Sequence, residues 1–371
     1  MVKASLDWSD DTELVSLIFT VSPKKDVALP TNYAKGLHAW FLSQVLKKDP
    51  QLSQYLHDGQ SEKPFTMSRL FGEMTENEDR LILFEGKTYH WYLSALSQRV
   101  VRWFRHWLHN MPRYIILNFK QPPESTFPDK IYLSIQSVDI ALPATTYSNL
   151  LQTISRKKFA LSFLSATSFR SKGNHYPLPA PDKLFHSYLR RWNHFAPHKF
   201  DRDLFLLWIE ENVIITRHQL DSLRVPGGKR GLVTGFVGSV ELDLAKSTSD
   251  NPEFIKLYKA LGQLAPYSGT GHKTTFGLGQ TRLGWQDRQP DILSMSVETF
   301  IVQRQREIFE ALMATQKRTG GDRAKKICQT RSLILARREF GESLVSIAED
   351  LKMPYDTVKT YAKLARRALR G

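Results

Sequence analysis

A histidine and a lysine stand six residues apart in the stretch that opens Tyr55-Leu56-His57-Asp58 and resumes at Lys63-Pro64-Phe65-Thr66-Met67-Ser68. An imidazole that can take or give a proton, next to a fixed cation, suits the breaking of an RNA phosphodiester without a metal. In that reaction the neighbouring 2′-hydroxyl attacks phosphorus. It needs a proton acceptor, a stabiliser of the phosphorane charge and an acid for the leaving 5′-oxygen. His57 suits the proton transfer and Lys63 the charge. Upstream, Tyr33 and His38 lie on a stretch of helical spacing, and His38 could serve as the acid.

Other runs are suited to holding a phosphate chain. The segment from Ser268 to Gly279 contains Gly269, Gly271, Gly277 and Gly279, with His272 and Lys273 between them. Glycines let a backbone approach a sugar-phosphate chain closely, and neighbouring amides with Lys273 can hold phosphate oxygens. The run lacks the spacing and the Gly-Lys-Ser/Thr ending of a mononucleotide P-loop. Ser168, Arg170 and Lys172 leave the end of a predicted strand within reach of phosphates, and Arg190 and Arg191 extend the basic surface. Lys229 and Arg230, in Gly227-Gly228-Lys229-Arg230-Gly231, form a basic turn suited to gripping an RNA stem. No carboxylate cluster of the kind that binds catalytic magnesium stands out. Glu210 and Glu211, read as neighbours on a strand, would point to opposite faces. Neither a metal nor a cofactor is expected.

The elements that must position these groups follow from apolar periodicity. Leu14 to Val21 reads as a strand and Tyr33 to Leu46 as a helix carrying Leu37, Phe41, Leu42 and Val45. Leu81 to Phe84 and Tyr89 to Leu93 read as a hairpin around Glu85-Gly86-Lys87. Ser94 is a candidate N-cap for a helix from Ala95 to His109, and Tyr114 to Phe119 supplies a returning strand. That order is the ferredoxin-like split βαβ arrangement, used also by the RNA recognition motif. After Gln121-Pro122-Pro123 and the strand-like Ile131 to Leu142, the pattern repeats. Strands are predicted at Phe159–Ser165, Val213–Leu223, Leu232–Leu244 and Gln280–Trp285, with helices at Asp182–Trp192 and Pro252–Leu264. A polar break at Gln286 to Pro290 leads into a helical stretch near Val297 to Ala314, and Thr319-Gly320-Gly321 reads as a hinge. The fold class is therefore α+β: two tandem ferredoxin-like units over 1–150 and 151–290, then a helical module over 291–371.

Composition agrees with a nucleic-acid partner. The 371 residues are 41% hydrophobic, enough for two or three domains with their own cores. Lys plus Arg number 52 against 37 Asp plus Glu, a formal +15, which draws a polyanion. The 11% aromatic residues can stack on bases. The start has no signal-peptide pattern, and no apolar run approaches the roughly 20 residues that span a bilayer. A cytoplasmic protein with no membrane partner is expected. The single cysteine, Cys328, reads as a small buried hydrophobe.

A lysine six residues after a Leu-His pair, running into Phe-Thr-x-Ser, resembles the active-site segment of the CRISPR repeat-processing endoribonucleases. The runs Leu164-Ser165-Ala166-Thr167-Ser168-Phe169-Arg170, Tyr176-Pro177-Leu178-Pro179 and Arg190-Arg191-Trp192-Asn193 are similar to the opening of that family's second domain. The glycine-rich run resembles the loop of the repeat-associated superfamily. The resemblance covers about residues 1 to 285. By position it implies His57 as general base or acid and Lys63 as electrostatic stabiliser. Where many members carry a tyrosine in the preceding helix, this chain has Leu42. The function implied is metal-independent cleavage of CRISPR repeat RNA, stem-loop or single-stranded, giving a 2′,3′-cyclic phosphate and a 5′-hydroxyl. The alternative is a non-catalytic RNA-binding subunit of a CRISPR effector complex.

The tail differs in character. From Lys317 to Gly371 there are 14 Lys plus Arg and 6 Asp plus Glu, so 14 minus 6 leaves +8. Ser343 to Leu351, a turn at Lys352-Met353-Pro354, and the run from Thr357 resemble the helix-turn-helix of sigma-factor region 4. Lys359, Lys363, Arg366 and Arg367 would then face a nucleic acid, with Lys352 where a glycine is usual. DNA, RNA and protein are all open as its partner.

Overall fold

The computed structural model describes residues 6–57, 62–77, 80–119, 128–153, 156–226, 232–246, 251–287, 297–314, 321–339 and 342–369. The first unit runs β1 (Leu14–Pro23), β2 (Val27–Pro30), α1 (Ala34–Lys48), α2 (Pro50–His57), β3 (Phe65–Phe71), β4 (Met74–Asn77), β5 (Arg80–Leu83), β6 (Tyr89–Ala95), α3 (Gln98–His109), β7 (Tyr114–Asn118) and β8 (Lys130–Thr145). Its main sheet has the order β3-β6-β1-β8-β7, and every neighbouring pair is antiparallel. Alternation along β1 puts Leu17, Phe19 and Val21 into the core. The apolar stripes of α1 (Leu37, Phe41, Val45) and α3 (Val100, Phe104, Trp107) close over them. Phe19, Trp91 and Trp107 meet at ring separations of 5.1 and 5.8 Å.

Three details differ from the reading of the sequence. Leu81–Phe84 and Tyr89–Leu93 do not pair. A turn does form between them, but β5 joins β2 and β4 in a small second sheet while β6 lies between β3 and β1. The Tyr89 hydroxyl accepts from the Phe84 amide and donates to the Glu73 carbonyl, bracing the point where the two strands part. The returning strand beside β1 is β8, and β7 is added outside it. Ser94 belongs to β6, where its hydroxyl donates to Ser16 at 2.8 Å, and the helix begins after Ser97. Periodicity marks where strands are but not whom they pair with.

The second unit comprises α4 (Tyr147–Gln152), β9 (Phe159–Thr167), β10 (Phe169–Ser171), β11 (Asn174–Tyr176), α5 (Pro181–Phe195), α6 (Arg202–Asn212), β12 (Val213–Pro226), β13 (Leu232–Leu244), α7 (Pro252–Ser268), a 3-10 turn at Thr274–Phe276 and β14 (Thr281–Leu283). The order β12-β13-β9-β14 repeats, element for element, the β3-β6-β1-β8 part of the first sheet. The fold is thus two tandem ferredoxin-like units followed by helices. Asp201 and Asn251 cap α6 and α7 by accepting the Leu204 and Phe254 amides, and Pro252 occupies the first turn of α7. Glu210 and Glu211 lie in α6 and not on a strand. Tyr147 and Leu150 of α4 pack in the second core, together with Leu14 and Leu96 from the first unit, so the two cores abut.

The remaining elements are α8 (Val297–Ala314), α9 (Asp322–Glu339), α10 (Leu344–Asp350) and α11 (Tyr355–Ala368). Cys328 is buried with Ile308, Leu312, Leu335 and Ala365. Of the hinge read at Thr319-Gly320-Gly321, only Gly321 lies within the described residues. Among the described residues, no helix is long and apolar enough to cross a membrane.

Candidate active site

Three elements of the first unit and one loop of the second meet at the candidate site. Asp49 starts α2 by accepting the Leu52 amide at 2.7 Å, with Pro50 at the first helical position, and the helix ends at the exposed His57. The His57 ring is held by its own helix. Its Nδ1–H donates to the Ser53 carbonyl at 2.8 Å, which leaves Nε2 as the ring nitrogen free for chemistry. Lys63 stands just before β3, and His38 projects from α1.

His38 ties the three together. Burial pushes its pKa down to about 4, and the nearby His57 and Lys63 oppose its protonation further. At neutral pH it is therefore an uncharged imidazole with a free lone pair. Its ring stacks on Phe65 from β3 at 6.0 Å and on Phe276 from the second unit at 4.3 Å. Tyr33 does not join this group. Its side chain is 1% exposed, its hydroxyl accepts the Leu70 amide at 3.0 Å, and the Arg69 guanidinium lies over its ring. The reading of Tyr33 as a catalytic group is replaced by one in which it braces α1 against β3.

Phe276 reaches His38 because the glycine-rich loop packs across the boundary between units. The Thr66 hydroxyl donates to the Tyr267 carbonyl at 2.8 Å, and Arg282 donates to the Tyr92 hydroxyl at 2.6 Å. β3 carries a bulge between Met67 and Leu70, and Gly277 sits on it. A Cβ on Gly277 would lie 2.5 Å from Arg69 Cγ and 3.0 Å from its backbone nitrogen.

The four glycines of this loop serve the fold and do not form a surface for a ligand. All are buried, with φ between 62° and 80°. The tightest is Gly279, where a Cβ would come within 1.9 Å of the Thr270 carbonyl. The loop amides are also used internally: Thr270 donates to the Gly279 carbonyl, Gly279 to the Ala166 carbonyl, and Gly271 to the Ser187 hydroxyl. Arg191, read from sequence as a phosphate contact, is 4% exposed and clasps the loop from within. Its guanidinium donates to the Gly269 and Gly271 carbonyls and to the hydroxyls of Ser187 and Thr274. Burial lowers its pKa to about 10. Ser168 is also buried, its carbonyl accepting both the amide and Nδ1–H of His272.

What the loop presents outward is Lys273 and Phe276, with His272 tucked behind them. Burial pushes His272 down to about 4, and its Nε2 is itself buried with no partner among the described residues, so the ring is a neutral internal brace and not a cation. Its ring stacks on His175 at 5.2 Å. The Lys273 pKa is lowered by burial and by the charges of Arg170 and Lys35. Arg170 and Lys172 are exposed on the β10–β11 ribbon, where the Arg170 guanidinium donates to the Gly173 carbonyl at 3.1 Å. Arg190 is exposed and paired with Glu62 at 3.1 Å, on the rim of a cleft lined also by His186, Asn193, His194 and Arg202. Of these, Lys35, His175 and the cleft residues other than Arg190 were not singled out from the sequence. His186, Asn193 and His194 share α5 and Arg202 begins α6, but Glu62 joins them only through the packing of the two units. Lys229 and Arg230 lie outside the described residues. Among those residues, no three His, Cys, Asp or Glu side chains form a group able to hold a metal ion.

Comparison with known proteins places this geometry in a family. The model of the CRISPR-associated endoribonuclease Cas6 matches residues 161–281, and that of the CRISPR Cas6 N-terminal domain matches residues 14–110. A solved Cas6 product complex is 24% identical, with 73% of this chain and 99% of that chain covered and a TM-score of 0.57. A second Cas6 product complex is 25% identical, with 73% and 98% covered and a TM-score of 0.54. Thermus thermophilus Cas6 is 23% identical, with 73% and 98% covered and a TM-score of 0.52. No curated protein matches the chain significantly.

Proposed function

Since this chain belongs to the Cas6 family of CRISPR-associated endoribonucleases, we propose that it cuts CRISPR repeat RNA in precursor guide transcripts by 2′-hydroxyl attack, without a metal. The products are a 2′,3′-cyclic phosphate and a 5′-hydroxyl. The observation that carries this reading is His38, stacked under Phe276 and near enough to His57 and Lys63 to feel both charges.

The roles divide by protonation. An imidazole whose pKa lies near 4 is unprotonated at neutral pH. His38 therefore acts as the base that takes the 2′-hydroxyl proton, in place of the acid role read for it from sequence. His57 delivers a proton from Nε2 to the departing 5′-oxygen, with Nδ1–H held by Ser53 throughout. Lys63 stabilises the charge on the phosphorane oxygens. Arg170, Lys172 and Lys273 hold phosphates of the flanking RNA.

Two substrates test this in excess EDTA. A repeat RNA with a single 2′-deoxy sugar at the cut site should not be cleaved, whereas the unmodified RNA should. A substrate whose leaving 5′-oxygen is replaced by sulfur needs no acid, because a thiolate leaves unaided. It should restore cleavage to His57→Ala but not to His38→Ala. Rescue of His38→Ala and not His57→Ala would reverse the two roles. Tight binding of a cognate repeat with no cleavage at all would favour the non-catalytic subunit.

A further inference from the structure

We propose that the C-terminal helical module is a duplex-DNA-binding site, with α11 lying in the major groove, separate from the RNA site of the two ferredoxin-like units. The Cas6 models end at residue 281, and solved Cas6 chains are covered to 98–99% by 73% of this chain. The helices from α8 onward lie beyond the family models, and the RNA chemistry of the body does not explain them.

Their geometry supplies a rigid presenting helix. Ile334 of α9, Ile347 and Ala348 of α10, and Val358 and Ala362 of α11 form one buried core. The Ser343 side chain caps α10 by accepting the Ser346 amide at 3.0 Å. α10 ends in a Schellman turn: the Met353 amide donates to the Ala348 carbonyl and the Lys352 amide to the Glu349 carbonyl, with Lys352 at φ 51°. Pro354 then starts α11 at once. This is the helix-turn-helix arrangement, in which the second helix is held out for docking.

The outward side of α11 selects the partner. Val358, Ala362 and Ala365 face inward, leaving Tyr355, Asp356, Lys359, Thr360, Lys363, Arg366 and Arg367 exposed. The stripe carries four cations and one carboxylate. Of the acids nearby, Glu342 and Asp350 are engaged by Arg337 at 2.5 Å and Glu339 by Arg304 at 2.7 Å, while Glu349 of α10 is exposed. A docking helix for a protein partner would present an apolar stripe, but the large exposed apolar side chains of α11 are only Tyr355 and Leu364. A polyanion fits better.

Groove shape then separates DNA from RNA. A 14-residue helix is about 21 Å long and enters the roughly 12 Å wide major groove of B-form DNA, whereas the deep, narrow groove of A-form RNA does not admit it. Tyr355, Asp356, Lys359 and Thr360, at the leading end, would meet base edges, and Arg366 and Arg367 would meet phosphates.

The test compares the full chain with K359A/K363A/R366A/R367A, using fluorescence anisotropy with a labelled DNA duplex and an RNA duplex of the same sequence. Wild type should prefer DNA. The variant should bind DNA at least tenfold more weakly, its log affinity against log salt flattened by about 0.9 for each phosphate contact removed. Its thermal melt should match wild type. If the fourfold variant melts early, K359A/K363A carries the comparison, with an expected loss of about fivefold. Unchanged DNA affinity in a folded variant would overturn the proposal, as would the absence of DNA binding by wild type. Equal binding of both duplexes, lost together in the variant, would mean a basic surface that does not discriminate between grooves and would overturn the assignment of α11 to the major groove of DNA.

Discussion

Phe276→Leu separates the environment of His38 from its identity. The aromatic ring covers the imidazole at 4.3 Å and contributes to the burial that holds its pKa down to about 4. Loss of the ring should raise that pKa. With His38 as base, activity falls once it is protonated, so the acid limb of the pH–rate profile should move to higher pH in the variant while the plateau survives. The same depression makes a stability prediction. His38 and His272 both titrate near 4 in the folded chain against 6.5 for a free side chain, so the unfolded chain binds more protons between those values. Their contribution is therefore present above about pH 6.5 and lost as pH falls towards 4. Urea midpoints measured across that range should drop, and His272→Phe should flatten the slope. Arg191→Ala should cost about 3 kcal/mol by urea unfolding, because it leaves the Gly269 and Gly271 carbonyls without their buried donor. A surface phosphate contact would cost RNA affinity with no such loss of stability.

At the scale of elements, Lys352 occupies a position that the Schellman turn reserves for a left-handed residue. Lys352→Gly should stabilise the helical module by about 1 kcal/mol, read as a later unfolding transition of that module. The sequence revealed most helices and strands because their apolar periods are clean: α1, α3, α5, α7, β1, β9, β12 and β13 all lie where the spacing puts them. Pairing was harder to read. β5 and β6 flank a genuine turn yet enter different sheets, and β8 takes the place beside β1 that β7 was expected to fill. The residues of the glycine-rich loop were singled out correctly as special, but for a reason that sequence alone could not distinguish. Glycine is needed both where a ligand approaches and where chain crosses chain, and here it is the crossing of Thr270, Gly279 and the β3 bulge that needs it.

At the scale of the whole molecule, the repeat of one strand order in two sheets was legible because the apolar pattern itself repeats. The site was only half legible. His57 and Lys63 are near neighbours in sequence, but the surroundings of His38 come from three distant places. α1 supplies the residue, β3 one aromatic wall and the second unit the other. On the proposed mechanism, an assembly of this kind makes the interface between units part of the chemistry. Arg282→Ala, which removes the hydrogen bond to the Tyr92 hydroxyl, should lower kcat several-fold through a loosened site while leaving the far-ultraviolet circular dichroism unchanged.

The stacking of Phe276 on His38 also sets a schedule for synthesis. Chains grow from the N-terminus at about 5–20 residues per second, and early domains fold while later ones are still being made. His38, His57 and Lys63 leave the ribosome long before Phe276 exists, so in a growing chain the His38 imidazole lacks the ring that covers it in the finished fold. On the proposed mechanism, an unfinished chain would carry His38, His57 and Lys63 without the aromatic cover of the proposed base.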